Sequence, residues 1–340
     1  MFSRSELSAA LHLVHSAMPP TPQYAWPLLR QRLGVDVIVK HENHTPIGAF
    51  KIRGGLVYLD RLRRERGGIR GVISATRGNH GQSIAYAASR VGLPATIVVP
   101  QGNSREKNAA MRAFGAELIE AGNDFDQARD ALPKLAEQRG CEIIPSFHRD
   151  LVTGVATYAQ ELFVAEPSLD AVFVPIGLGS GICGLIRTRD LLGLRTEIVG
   201  VVSENANAYA LSFAAGRPVC TPSALTFADG IATRQPDAEA VAMIVGGATR
   251  IIQVSDKEVA DAIRIYHEDT HNLAEGAGAA ALAGLRKERQ HWQGKRCGVV
   301  LCGGNIDRDW TAQVLAGGVP NVTNPLHNES DPEHLPSQDP

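Results

Sequence analysis

The chain alternates short apolar runs with longer amphipathic stretches. Runs at 35–40, 72–74, 95–99, 117–120, 142–144, 171–175, 198–203, 251–254 and 298–301 have strand length, and several carry no polar position on either face. That is the pattern of strands buried in a parallel sheet. Between them the spacing of apolar positions predicts helices over 81–91, 105–114, 125–137, 157–165 and 256–271. Ser3 and Glu6 form a capping-box pattern that opens a further helix over 6–17, stopped by Pro19 and Pro20. Strands alternating with helices predict an α/β architecture with mostly parallel sheets flanked by helices. Four strand–helix units between about 71 and 148 read as a small domain, 63–148, inserted in a large one, 1–62 and 149–320. No internal repeat is visible, and the polar, proline-rich stretch 321–340 is expected to be a disordered tail.

Composition narrows the function. With 44% hydrophobic and 21% charged residues and a formal net charge of −2, the 340-residue chain has no basic excess to neutralise a phosphate backbone. No nucleic-acid partner is expected. No apolar stretch approaches the ~20 residues of a membrane span, and the start lacks the charged-then-apolar pattern of a signal peptide. The cysteines Cys141, Cys183, Cys220, Cys297 and Cys302 form an odd, scattered set with no CxxC pair. Reduced thiols and a cytoplasmic location are the expectation.

Four segments look chemical. Gly48-Ala49-Phe50-Lys51 sets a lysine beside an aromatic ring between turn formers and a predicted helix; partial desolvation would make its amine nucleophilic, though a lysine at a helix start is also common on surfaces. Thr76-Arg77-Gly78-Asn79-His80 follows a strand, where backbone N–H groups can meet an anion such as a carboxylate, or simply form a polar loop. Gly177-Leu178-Gly179-Ser180-Gly181 follows the run at 171–175, and a glycine-rich turn at a helix N-terminus can wrap a phosphate or merely pack. Cys302-Gly303-Gly304-Asn305 ends the run at 298–301, at the strand edge where open parallel sheets place ligands; its thiol can equally be a buried apolar group.

Together, in this order, the four segments resemble fold-type II pyridoxal-phosphate enzymes of the serine/threonine dehydratase and serine racemase group, from about Thr21 to Ala316. The resemblance implies two open, mostly parallel twisted sheets flanked by helices, and a residue-by-residue site. Lys51 matches the lysine that forms the Schiff base, Phe50 the aromatic packed by the cofactor ring, and Asn79 the asparagine at the ring hydroxyl. Gly177, Leu178, Gly179, Ser180 and Gly181 match the phosphate cup, and Cys302 the group facing the pyridine nitrogen. Thr76, Asn79 and His80 match the loop that grips the substrate carboxylate, joined here by Arg77. Gly230, after Asp229, and Glu275 fall in segments that line the cofactor. The implied reaction removes the Cα proton through Lys51 and then the β-hydroxyl, with a protonation by the cofactor phosphate, turning a 3-hydroxy amino acid into a 2-oxo acid and ammonia. A homodimer is implied as well.

Departures from the group's pattern refine this reading. Arg77 stands where racemizing relatives carry a serine and many threonine dehydratases an alanine. A guanidinium stays charged at any ordinary pH and is a poor acid–base partner, so racemization is disfavoured. It suits a distal carboxylate or another polar substituent better, or it points to solvent. Similar Thr-Arg-Gly-Asn loops occur in dehydratase-like paralogues for phenylserine and for hydroxyectoine use. Leu178 and Ser180 replace glycines of the cup. Relatives bind a divalent cation through a glutamate and an aspartate six residues later; Glu204 matches the first, but Ala210 occupies the second, which leaves the cation in doubt. On the length given, no C-terminal effector domain like that of the allosteric biosynthetic threonine deaminases is expected.

Three other readings compete. Gly179-Ser180-Gly181-Ile182-Cys183-Gly184 with Glu204 fits a dinucleotide fingerprint, but an NAD-dependent dehydrogenase explains neither Lys51 nor Cys302. His267-Glu268-Asp269-Thr270-His271 matches the HExxH zinc pattern, which a solvated helix end also explains. A non-catalytic binding relative would have no need of Lys51.

Overall fold

A computed structural model describes residues 1–322; most of the expected tail lies outside the described residues. Ten strands form two sheets. The larger contains β1 (Gln23–Ala25), β2 (Asp36–His41), β7 (Ala171–Pro175), β8 (Glu197–Ser203), β9 (Arg250–Val254) and β10 (Arg296–Leu301), in the order β1-β2-β10-β7-β8-β9. The smaller contains β3 (Val72–Ala75), β4 (Ala95–Val99), β5 (Glu117–Glu120) and β6 (Glu142–Ile143), in the order β5-β4-β3-β6. Every pairing is parallel except β1 with β2. Each residue of β3, β4 and β7 is buried, as sheets covered on both faces require.

The two sheets have their own apolar cores. One, around Phe173, Val199, Leu282 and Trp292, sits on the larger sheet. Another packs Ile84, Ile97 and Met111 of the smaller sheet's layer with Ala10, Val14 and Met18 of the first helix and Ile52, Leu56 and Leu59 of the helix Lys51–Glu65. That last helix thus carries Lys51 at its first position while its body leans on the smaller sheet.

Several predicted bounds move for local reasons. The first helix spans Arg4–Ala17 and its box is formed: Ser3 Oγ accepts from the Glu6 amide at 3.2 Å, and Glu6 Oε2 accepts from the Ser3 amide at 2.8 Å. The single helix expected at 125–137 is two, Phe125–Asp130 and Leu132–Arg139. Pro133 cannot donate to the preceding turn and restricts the residue before it, so it starts a helix better than it continues one. The helix expected at 157–165 runs Arg149–Ala165, capped by His148. The helix at 256 ends at Thr270, where His271 turns left-handed (φ 52°). Strand β1 escapes sequence reading because three residues at an edge show no periodicity.

Candidate active site

A cleft of about 290 Å³ opens beyond the C-terminal ends of β3, β7 and β10, between the two sheets. All the residues expected to hold cofactor or substrate line it: Phe50, Lys51, Thr76, Arg77, Asn79 and His80 on one side, and Gly177 to Gly181, Gly230, Glu275 and Cys302 on the other. Glu204 does not. It sits exposed in a short turn after β8, and among the described residues no group of three His, Cys, Asp or Glu side chains is arranged to hold a metal ion. The HExxH carboxylates are engaged by Arg32, which bonds Asp269 Oδ2 at 2.7 Å and Glu268 Oε2 at 2.9 Å.

Backbone pairing puts Lys51 in place. The Phe50 amide donates to the Cys302 carbonyl at 3.0 Å, and Ala49 bridges Gly303, which ties the loop before Lys51 to the end of β10. Lys51 Nζ lies 3.4 Å from Ser180 Oγ and 5.2 Å from the centre of the Phe50 ring. Desolvation by these walls pulls its pKa down to about 8, opposed in part by the neighbouring Cys302. A substantial neutral fraction near neutral pH makes the amine a usable nucleophile and base. Burial keeps the Cys302 thiol well above its ordinary pKa, so it remains a neutral S–H. Burial, with Lys51 close by, pushes His80 down to about 3, leaving a neutral imidazole whose Nε2 has no hydrogen-bond partner.

The glycine-rich turn between β7 and the helix Ser180–Leu192 is built for close approach. A Cβ on Gly177 would lie 2.3 Å from the Gly230 carbonyl oxygen, and Gly179 is left-handed at φ 98°. Leu178 is tolerated because the turn is held by its backbone: its carbonyl accepts from Tyr209 Oη at 2.9 Å, and that hydroxyl oxygen in turn accepts from the Asp237 amide at 3.1 Å. Free amides at the start of a thirteen-residue helix favour a phosphate dianion.

On the facing loop, Thr76 Oγ1 accepts from the amides of Gly78 at 3.0 Å and Gly81 at 3.3 Å, which folds the loop onto the helix Asn79–Arg90. Asn79 donates through Nδ2 to Glu275 Oε1 at 2.7 Å and accepts through Oδ1 from Asn305 at 2.8 Å. Arg77 is exposed at the mouth, with no hydrogen bond to another described residue. Sequence reading missed Lys107 and Tyr209. Neither sits in a motif, and a lysine in an amphipathic helix reads as a solvated face.

A parallel-sheet cleft that sets a desolvated lysine amine against a helix-terminal glycine cradle defines an α/β fold suited to an anionic, aldehyde-bearing cofactor. The cradle, the amine and the His80 Nε2 atom, which has no hydrogen-bond partner among the described residues, fit such a group. The model of the pyridoxal-phosphate dependent enzyme family matches residues 14–303, and the chain belongs to that family, with pyridoxal phosphate as its cofactor. It is similar to the biosynthetic L-threonine dehydratase of Salmonella typhimurium, 32% identical over 86% of this chain and 58% of that protein. The chain thus spans under two thirds of the length of this relative. It is also similar to the L-threo-3-hydroxyaspartate ammonia-lyase of Saccharomyces cerevisiae, 33% identical over 87% of this chain and 91% of that one. Among solved structures, the processed form of threonine deaminase isoform 2 from Solanum lycopersicum superposes with a TM-score of 0.84 at 29% identity, over 93% of this chain and 95% of that one.

Proposed function

We propose that this protein is an ammonia-lyase that removes water from a 3-hydroxy amino acid and releases a 2-oxo acid and ammonia. The observation that carries the reading is the Lys51 amine, held in the cleft with its pKa lowered to about 8. Bound pyridoxal phosphate supplies an electron sink conjugated to the substrate Cα. The turn Gly177–Gly181 holds the phosphate through backbone amides, and Phe50 and Asn79 flank the ring. The loop from Thr76 to His80 binds the substrate carboxylate. Lys51 Nζ takes the Cα proton; the β-hydroxyl takes up one proton and leaves as water; the released enamine shifts a proton from nitrogen to Cβ and then adds water at Cα to release ammonia, so the balance is one amino acid to one 2-oxo acid and one ammonia. The neutral thiol of Cys302 keeps a second positive charge off the cofactor ring, which favours loss of the β-group over protonation elsewhere. Arg77, exposed at the mouth with no hydrogen bond to another described residue, takes a polar group on the substrate side chain rather than donating a proton in this reading, which disfavours racemization.

The named relatives act on threonine or 3-hydroxyaspartate, and both remain candidate substrates, beside serine, phenylserine and a hydroxyectoine-derived amino acid. Release of 2-oxo acid from each of the five, with native protein and Arg77→Gln, tests the proposal. Activity on one substrate that falls at least tenfold in kcat/KM in the variant supports it, and racemized product without ammonia rejects it. A soluble cytoplasmic homodimer with a small domain, 63–148, is part of the same reading; light scattering that gives a monomer mass would remove the dimer from it.

A further inference from the structure

Lys107 is the most unexpected charge in the cleft. It lies on the helix Arg105–Ala113, its side chain is 8% exposed, and its ammonium reaches across to Asp229 Oδ2 at 2.5 Å and Glu275 Oε2 at 3.8 Å. The helix that carries it belongs to the smaller sheet's layer, while Asp229 and Glu275 belong to the larger sheet's side. Glu275 Oε2 has no hydrogen-bond partner, so Lys107 is the cation that compensates it. The other oxygen of Glu275 takes Asn79 Nδ2, and Asn305 supplies the donor for Asn79 Oδ1. An acceptor on one side and a donor on the other permit one orientation of the Asn79 amide; turned over, it would face oxygen to oxygen and nitrogen to nitrogen.

We propose that Lys107 is a positioning residue for the cofactor ring: pairing with Asp229 and Glu275 across the cleft, it holds Glu275 as the carboxylate that fixes the Asn79 amide. This rests on the proposed place of Asn79 beside the cofactor. The groups that face the Glu275 carboxyl are Lys107 and Asn79 from the smaller sheet's helices, Asp229 from the turn Asp229–Ile231, and the Cys302 thiol from the end of β10. Asp307 adds a further negative charge near Lys107. Burial lifts Glu275 to about 7 and Asp229 pushes the same way, while Lys107 and the Asn79 N–H pull it down. Without Lys107 the buried Glu275 carboxyl faces the half-buried Asp229 carboxylate with no cation between them, and Glu275 takes up a proton at higher pH. A protonated Glu275 can donate, the amide can turn over, and the ring loses a fixed partner.

The test follows the absorbance of bound pyridoxal phosphate against pH in the holoenzyme. Wild type is expected to show a transition near neutral pH. Lys107→Met moves its midpoint up by about one pH unit, a tenfold change in proton affinity. Lys107→Arg restores it, Glu275→Gln removes it, and Lys107→Met has no further effect on the Glu275→Gln background. A role confined to packing would change thermal stability or cofactor affinity and leave the midpoint in place. If Lys107→Met does not fold, Asp229→Asn must lower the midpoint. An unmoved midpoint in Lys107→Met, a shift that persists with Glu275→Gln, or an unmoved or raised midpoint in Asp229→Asn overturns the proposal. Absence of any cofactor band in wild type would instead count against the proposed function.

Discussion

Two buried ionic groups flank Lys51, and they are built differently. Behind it, Arg53 on the same helix is fully buried and gives each of its nitrogens a partner: Glu42 at 2.7 and 3.0 Å, Glu161 at 2.6 and 2.9 Å, Thr157 at 2.9 Å and Thr21 at 3.1 Å. Lys40 completes the set, its ammonium bonded to Thr21 O, Gln23 Oε1 and Glu161 Oε2 at 2.7–3.0 Å. Two cations meet two carboxylates and no polar atom of the four is left over. In the cleft, by contrast, Glu275 Oε2 and His80 Nε2 have no hydrogen-bond partner among the described residues, Lys107 stands off Glu275 at 3.8 Å, and Lys51 has one long contact. A satisfied cluster fixes geometry and holds its groups charged, whereas unsatisfied buried groups titrate nearer neutral pH or stay neutral and await a ligand. The helix that carries Lys51 is clamped by the first so that its end can remain reactive in the second.

The largest effect that would sharpen this contrast is Lys51→Ala. Turnover should fall by about 10⁴-fold or more, while the urea midpoint stays level or rises because a desolvated amine is gone. Arg53→Met should do the reverse, costing about 3–5 kcal/mol because it strips the buried Glu42 of its paired cation and leaves Glu161 with Lys40 alone. Arg53→Lys should rescue little, since an ammonium cannot replace a fork that serves two carboxylates. Urea unfolding reads both, and an Arg53→Met protein as stable as wild type would break the comparison.

The pH responses should separate next. Burial alone would raise Glu161, but its bonds to Arg53 and then Lys40 hold it at about 2, against an ordinary 4.5. The unfolded chain therefore binds the proton first as pH falls. This contribution is present above pH 4.5 and is lost toward pH 2, up to about 3 kcal/mol. Buried His80, at about 3 against 6.5, acts with the same sign from pH 6.5 downward. Glu275 has the opposite sign: raised to about 7 by burial, it favours the folded state below pH 4.5 and loses that contribution as pH rises through 7. Between pH 4.5 and 6.5 the opposed contributions of His80 and Glu275 offset one another, so activity should change near neutrality, where Glu275 and Lys51 titrate, while the unfolding free energy falls steeply only below pH 4.5. Parallel pH scans of activity and of unfolding free energy check this, and coincident profiles would contradict it.

Much of the fold was legible in the sequence because its signals are local. Apolar runs marked the strands from β2 to β10, Ser3 and Glu6 marked the first helix, and turn residues after strands marked each loop that reaches the cleft. Lys51, Asn79, the Gly177–Gly181 turn and Cys302 each have common structural uses alone, and stood out because their joint order and spacing resemble one family. What no local pattern carried were contacts between distant segments. Lys107 and Asp229 lie 122 positions apart, and Lys107 becomes a buried cross-cleft ion only when the helix Arg105–Ala113 is set against the larger sheet. Arg53 and Glu161, 108 positions apart, likewise read as ordinary helix charges until two helices bring them together.

The positions of the strands along the chain and the residue types at their ends are thus written in the sequence itself, since periodicity and backbone chemistry act within a few residues. Which charges are buried, which are paired and which titrate near neutral pH was settled only by the tertiary structure, because desolvation and Coulomb interaction depend on distance in space and not on distance along the chain.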